Sequence, residues 1–361
     1  MKPKLLICWR YFPEYRKEIM QKLSNYFDLS YMYGNSQKND AVIQIEKLEG
    51  VNLIRHAVYE IFNGFFYFDL AFYKEVKINK PDYIVIQPTP RDLTIFFKLI
   101  WCKLTNTKVI GWGMGKMPGR NNMVQKLHDI FVFLVIIQLD KMICYSSTAS
   151  SYYKSISSSL VCDVLVNTKV ITDDSEGFKK KKSIVRPKSQ INIVFLGRLI
   201  ASKQVVVLLE ACSKVLIKYQ LNVCLNIIGT GPEETNLKES AKALDVTTVF
   251  HGFKRDAELY EILRQMDIFV LPSLGGLAII DALYSSLPII SGPADGTEND
   301  LVIDGYNGYV LAGVTIDLIA DVVYKIHSED LYGFGYNSKT LYEENHHIDK
   351  FVSNFANAVE N

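Results

Sequence analysis

The sequence has no CxxC pair, no apolar run long enough to span a bilayer and no glycine-rich dinucleotide fingerprint. Each absence removes a class of protein. Its six cysteines, Cys8, Cys102, Cys144, Cys162, Cys212 and Cys224, are scattered, several of them inside apolar runs. Buried, reduced thiols in a reducing compartment explain this better than disulfides or a zinc site. The apolar stretch Ile130–Leu139 is about half of the roughly 20 residues that a spanning helix needs. The start, Met1–Arg10, has a basic lead but too short an apolar core for a signal peptide. The expected location is therefore cytoplasmic. The first apolar run leads into Trp9-Arg10-Tyr11-Phe12-Pro13 rather than a Gly-x-Gly-x-x-Gly turn, which argues against a nucleotide-dependent oxidoreductase. No solenoid repeat appears. No aspartate cluster has metal spacing, so no essential divalent ion and no resident cofactor are expected, and no nucleic-acid partner either.

What is present suits two domains. The 361 residues are 48% hydrophobic and 22% charged, enough apolar material for each half to bury its own core. The net charge of +1 hides an asymmetry. Residues 1–170 hold 22 Lys/Arg against 14 Asp/Glu, a balance of +8, whereas residues 171–361 carry −7. A basic half can meet an anionic surface or substrate; solvated lysines on helix faces account for it equally well. Aromatic residues beside bases (Phe62, Phe65, Phe66, Tyr67, Phe68) suit an interfacial surface, and core packing accounts for most of them too.

Short apolar runs alternate with helical spacing throughout. In the first half, Lys4–Cys8, Tyr83–Ile86, Val109–Trp112 and Met142–Tyr145 read as buried parallel strands, with helices over Glu14–Tyr26 and Asn122–Leu139. A polar, charge-dense stretch between Asn167 and Asn192, with Lys179–Lys182, reads as linker and exposed loop. A second series follows: strands Ile193–Leu196, Val223–Ile228, Val249–Phe250, Ile268–Leu271, Pro288–Ser291 and Tyr309–Leu311, with helices Val205–Tyr219, Pro232–Leu244, Asp256–Arg264 and Leu277–Tyr284. The tail Ile316–Val359 is helical. The pattern predicts an α/β protein of two Rossmann-like domains with a cleft between them: an N-terminal domain over 1–168, a C-terminal domain over 169–345, and a final helix, 346–361, packing back on the first.

The chemistry concentrates where strands end. Ligands of open parallel sheets bind beyond the carboxyl ends of strands. After the strand at 193–196 come Gly197, Arg198 and Lys203, whose bases suit a diphosphate; two bases near a loop are also common on ordinary surfaces. Gly229 and Gly231 flank Thr230 in a turn that lets a ligand approach the backbone, or that simply joins strand to helix. After the strand at 268–271, Gly275 and Gly276 strip side chains from a helix start and expose the amides of Gly276, Leu277 and Ala278 to a phosphate. Asp281, one turn below Leu277, can accept hydrogen bonds from a ribose diol.

The series FLGRLIASK, IIGTGPEETNL, FHGF, DIFVLPS, GGLAIIDALYSSLPII and Asp304–Tyr309, over about residues 190–312, closely resembles the retaining GT-B glycosyltransferases of family 4. The resemblance implies a GT-B fold, with two Rossmann-like sheets facing across a cleft. It also implies a donor site in which Arg198 and Lys203 neutralise the diphosphate, the amides at Gly276, Leu277 and Ala278 cradle it and Asp281 holds the ribose. By the same resemblance, the loop His251–Lys254 would lie near the nucleotide base. Ser273 replaces the first of the family's two glutamates in this element, and Asp281 the second. In the first half, Met114 stands where related sequences carry a histidine near the acceptor, and Arg10, Arg16, Lys116 and Arg120 are candidates for an acceptor phosphate. The activity implied is transfer of a hexose, with retention, from a nucleotide diphosphate sugar to a saccharide acceptor. A UDP-sugar is favoured as donor, and a polyprenyl-diphosphate-linked acceptor at an anionic membrane face, in cell-surface polysaccharide synthesis. Ser273 and Met114 also motivate an alternative, a degenerate transferase-like subunit that binds a sugar nucleotide or a partner enzyme without turnover.

Overall fold

The computed structural model describes residues 1–34, 47–115, 123–173, 190–273 and 275–361. The chain divides into two compact units, Met1–Val170 with Ile348–Asn361, and Ile171–His347.

In the first unit the elements are β1 (Lys4–Trp9), α1 (Lys17–Leu23), β2 (Asp28–Gly34), β3 (Val51–His56), β4 (Tyr59–Ile61), β5 (Phe66–Phe68), α2 (Ala71–Asn79), β6 (Tyr83–Ile86), α3 (Ile95–Leu104), β7 (Lys108–Gly113), α4 (Met123–Ile136), β8 (Lys141–Cys144), α5 (Ser147–Ile156) and β9 (Cys162–Val164). Seven strands form one parallel sheet in the order β3-β2-β1-β6-β7-β8-β9, and β4 and β5 pair as an antiparallel hairpin. Alternate side chains point to opposite faces of a strand. Leu5 and Ile7 of β1 accordingly join a core with α1, while Leu6 and Cys8 join a second core under α2, α3, α4 and α5. The hairpin leaves Phe62 and Phe65 exposed at its tip and buries Tyr67.

The second unit contains β10 (Gln190–Leu196), α6 (Val205–Tyr219), β11 (Asn222–Ile228), α7 (Glu234–Ala243), β12 (Thr247–Gly252), α8 (Asp256–Leu263), β13 (Ile268–Leu271), α9 (Gly276–Tyr284), β14 (Ile289–Ser291), α10 (Glu298–Leu301), β15 (Gly308–Val310), α11 (Ile316–Ser328) and α12 (Leu331–Leu341). Its six strands are parallel in the order β12-β11-β10-β13-β14-β15. Every residue of β13 is buried, as a central strand covered on both faces requires. The final helix, α13 (Ile348–Glu360), returns to the first unit. There Phe351 and Phe355 enter the core with Trp112, and Lys22 pairs with Asp349 at 2.6 Å.

Several expected boundaries move. The helix expected over 14–26 is a 3-10 turn at Glu14–Arg16 followed by the short α1. Pro232 lies before α7 rather than in its first turn, because the chain at Glu233 is still bonded to Leu199. The tail is not one helix: it breaks between α11 and α12 and passes through a π-helical turn, Tyr342–His346, before α13. Asn122 and Lys179–Lys182 lie outside the described residues. Among the described residues, no helix is long and apolar enough to cross a membrane.

Candidate active site

Each sheet has one place where the strand order reverses, between β1 and β6 in the first unit and between β10 and β13 in the second. Connections leave in opposite directions there, opening a crevice at the carboxyl ends of the strands. In the second unit, Gly197 and Arg198 follow the strand on one side of that crevice, and Pro272, Ser273, Gly275 and Gly276 follow the strand on the other.

The loops that follow β10, β11 and β12 are tied to one another. Gly197 N–H donates to Ile228 O at 3.0 Å, Leu199 N–H to Thr230 O at 3.0 Å, and Gly229 N–H to Gly252 O at 2.8 Å. Gly229 has a φ of +135°, and a Cβ there would collide with the carbonyl oxygen of Gly197; a Cβ at Gly231 would strike Leu199 O. These glycines are thus required by the approach of one loop to the next. The turn was open to a ligand's approach or to a plain strand-to-helix join; at both glycines it is the chain's own backbone that fills the space.

The stitched loop presents Arg198, whose side chain is exposed, and Lys203, half-buried in a 3-10 turn. Burial lowers the Lys203 pKa, and the nearby Asp295 carboxylate partly opposes this. Asp295 accepts hydrogen bonds from Thr297 N–H at 3.1 Å and from Thr297 Oγ1 at 2.5 Å. Thr297 in turn packs against Gly276, where a Cβ would come within 3.0 Å of its Oγ1. Thr297 therefore links the start of α9 to Asp295, the carboxylate whose charge acts on Lys203. This link escaped the sequence reading, although the run Gly292–Thr297, rich in Gly, Pro and Asp after a strand, was the available signal. Glu298 pins the run from beneath: its buried carboxylate accepts from Ala294 N–H and Gly296 N–H, both at 2.8 Å.

At the start of α9 the three expected amides are not equivalent. Ala278 N–H already donates to Gly275 O at 2.9 Å, closing the first turn. Among the described residues, Gly276 N–H and Leu277 N–H have no partner and remain for an anion, at the positive end of the helix. Ser273 is buried, and its hydroxyl has no partner among the described residues. Asp281 departs from expectation. It is 2% exposed, and its Oδ1 accepts from the Tyr260 hydroxyl on α8 at 2.8 Å. One turn below Leu277 proves to be the covered side of the helix, so the carboxylate is held by protein rather than open to a ribose. On the flank, Lys254 pairs with Glu258 at 2.9 Å, and His251 Nε2 lies 2.9 Å from Asn226 Oδ1.

In the first unit, the reversal between β1 and β6 gathers a polar cluster that the sequence reading did not foresee. Arg10 follows β1, its guanidinium 2.8 Å from Glu60 Oε1 and over the rings of Tyr11 and Tyr67. Lys98 on α3 is buried and donates to Asp69 at 2.7 Å and Asp92 at 2.8 Å. His56 Nε2 sits 2.9 Å from Asp69 Oδ1, outside hydrogen-bond alignment. Burial pushes the Asp69 carboxyl up, but the His56 ring and the Lys98 ammonium outweigh it and hold its pKa at about 2. These groups line a cavity of about 20 Å³, room for about one water.

Arg16 requires a correction. It is 2% exposed, its guanidinium sandwiched between Trp9 and Trp112 at 4.3 and 4.2 Å and bonded to the hydroxyl of Tyr145. It is a core cation and is not available to an acceptor phosphate. Met114 is exposed just beyond β7. Lys116 and Arg120 lie outside the described residues.

Two parallel-sheet α/β units of this kind constitute the GT-B architecture, and the solved structures that resemble this chain bear it out. Anabaena Alr3699/HepE in complex with UDP superposes with a TM-score of 0.72 at 13% identity, covering 99% of both chains. The lipopolysaccharide outer core galactosyltransferase WaaB, in its apo form, gives 0.70 at 14% identity, again over 99% of both. Residues 177–339, within the second unit, match the family model described as Glycosyl transferases group 1. An uncharacterized glycosyltransferase of Haemophilus influenzae is 28% identical over 164 residues, 44% of this chain and 46% of that one. The chain spans less than half the length of the curated relatives it matches.

Proposed function

We propose that this chain is a retaining hexosyltransferase that uses a nucleotide diphosphate sugar, a UDP-sugar by preference, and glycosylates a saccharide acceptor in cell-surface polysaccharide synthesis. The observation that carries the reading is the set of charges and amides at the β10/β13 reversal. Arg198 and Lys203 follow β10, and the N–H groups of Gly276 and Leu277, unpartnered among the described residues, follow β13; these are the two strands beside the switch point, where open α/β sheets bind their ligands. The galactosyltransferase name of one structural neighbour and the UDP bound to another support the choice of substrate.

Cleavage of the sugar–phosphate bond leaves negative charge on the departing diphosphate. Two cations and two amides fixed before the reaction stabilise that charge most in the transition state, where stabilisation raises the rate. In the retaining route the acceptor hydroxyl attacks on the face the diphosphate leaves, and a diphosphate oxygen takes its proton. No side-chain base is required at Met114. Nucleotide sugar is the co-substrate, and the reading includes no resident cofactor or metal. A lipid-linked, polyprenyl-diphosphate acceptor fits the basic first unit.

The test is to incubate purified protein with UDP-, GDP- and dTDP-sugars, follow binding by ligand-observed NMR, and assay release of nucleoside diphosphate. Binding and turnover with one UDP-sugar are expected, and failure to bind any nucleotide sugar overturns the proposal. A second reading, a non-catalytic subunit that binds sugar nucleotide or a partner enzyme, is favoured by Ser273, whose hydroxyl stands where the resemblance implies a carboxylate. Binding without turnover in the same panel would select it.

A further inference from the structure

Helices α3 and α4 are apolar on both sides. At about 100° per residue, the inward sides carry Ile95, Leu99 and Cys102 of α3 and Val132, Val135 and Ile136 of α4, all in the core. The outward side of α4 carries Met123, Leu127, Ile130 and Leu134, continued by Ile137, at spacings of three and four. These side chains are between 44% and 79% exposed. The outward side of α3 repeats the pattern with Phe97, Ile100 and Leu104, preceded by Leu93 just before the helix. The two helices are neighbours, since the rings of Phe96 and Phe131 meet at 5.2 Å. A water-facing helix normally opposes its apolar stripe with polar residues, and soluble monomers rarely expose a contiguous apolar surface of this kind.

The fully exposed charges on the two helices are basic, and Asp140, exposed three residues past Ile137, is engaged by Val109 N–H at 2.7 Å. Lys103 and Lys126 are exposed on the same helices. The only carboxylate on either helix is Asp129, and it is engaged by the Tyr152 hydroxyl at 2.6 Å and by Gln125 at 2.7 Å. Where α3 ends at Leu104, a cavity of about 570 Å³ is lined by Lys77, Lys80 and Lys108 with Trp101, and Asp82 is its one acid among the described residues. Asp82 is already bonded to Lys4 N–H at 2.7 Å. A second copy of the chain laid on this face would bring lysines against lysines. Anionic headgroups would accept them, while the stripes enter the acyl boundary and the lysine stems reach back to the interface.

We propose that the outward face of α3 and α4 is a membrane-binding surface that lies in the interface of an anionic phospholipid bilayer, independently of the reaction the second unit performs. The experiment uses the full chain and vesicles of equal parts phosphatidylglycerol and phosphatidylcholine. The protein is expected to sediment with these vesicles and to remain bound in molar salt, since apolar insertion is not screened. The double variant Leu127→Ser/Ile130→Ser is expected to lose at least tenfold in partitioning, with circular dichroism and UDP affinity unchanged. In case that variant fails to fold, Leu127→Trp reports directly: the fluorescence of the introduced indole should shift to the blue on adding vesicles and be quenched by brominated lipid. No vesicle binding, an emission spectrum of the Leu127→Trp protein unmoved by vesicles, or full release by salt overturns the proposal. So does a concentration-dependent dimer in sedimentation velocity that Leu127→Ser/Ile130→Ser dissolves, because the face would then belong to a second copy.

Discussion

The hydroxyl of Tyr260 donates to the carboxylate of Asp281 at 2.8 Å, joining α8 to the buried side of α9. Burial and the adjoining carboxylate both raise the Tyr260 pKa, so the phenol stays protonated and remains a donor throughout the physiological range. The helix whose first two N–H groups have no partner among the described residues is thereby held at its middle by a buried polar contact.

Tyr260→Phe strips this donor from a buried carboxylate and is expected to cost about 1–3 kcal/mol of stability, measured by chemical denaturation. Asp281→Asn keeps an acceptor for Tyr260 and removes the charge. It should fold normally and bind UDP as the parent does, because the carboxylate is buried against Tyr260 rather than open to a ribose; weaker binding by calorimetry would return Asp281 to the donor site.

Gly229→Ala forces a Cβ against the Gly197 carbonyl at a φ that side chains rarely adopt. A loss of about 1–3 kcal/mol is expected from the backbone alone, together with a fall in donor hydrolysis, because the loop that carries Arg198 must shift. A melting curve and a hydrolysis assay on the same sample check both.

Lys98→Met leaves Asp69 and Asp92 buried without their shared cation. Removing one partner from a buried charge cluster costs about 3–5 kcal/mol. The variant should therefore melt well below the parent, and a melting temperature equal to the parent's would show the cluster to be better hydrated than its burial indicates.

His346 is buried, and burial lowers its pKa from 6.5 to about 4. The unfolded chain takes up a proton near pH 6.5 that the folded chain refuses until near pH 4. Stability therefore falls as pH drops across that window, by about 3 kcal/mol. Asp69, with its pKa held at about 2, acts in the same direction at lower pH: its contribution is full above the ordinary carboxylate pKa and fades as pH falls toward 2. Denaturant midpoints from pH 7 to pH 4 check the first window, and His346→Gln should flatten it.

The second unit was legible because its strands are short apolar runs. Ile268–Leu271 is buried along its whole length, and a strand covered on both faces has no polar alternation to confuse its reading. The glycines at 229 and 231 were visible too, but not their reason, since the carbonyls they admit belong to another loop. Arg16 looked like a surface base because its cage, Trp9, Trp112 and Tyr145, assembles from three strand ends distant in sequence. Lys98 is hidden in the same way: nothing local distinguishes a lysine destined for two buried aspartates from one destined for water. Asp281 lies on the predicted helix, but which side of that helix α8 covers is a tertiary fact.

The most direct measurement of the donor site is calorimetry of UDP and of uridine against the parent and Arg198→Ala/Lys203→Ala. Charge-assisted hydrogen bonds contribute about 1.5–3 kcal/mol each. UDP affinity should therefore fall at least tenfold in the double variant, while any uridine affinity stays unchanged. Equal UDP affinity in the two proteins would contradict a diphosphate held by Arg198 and Lys203.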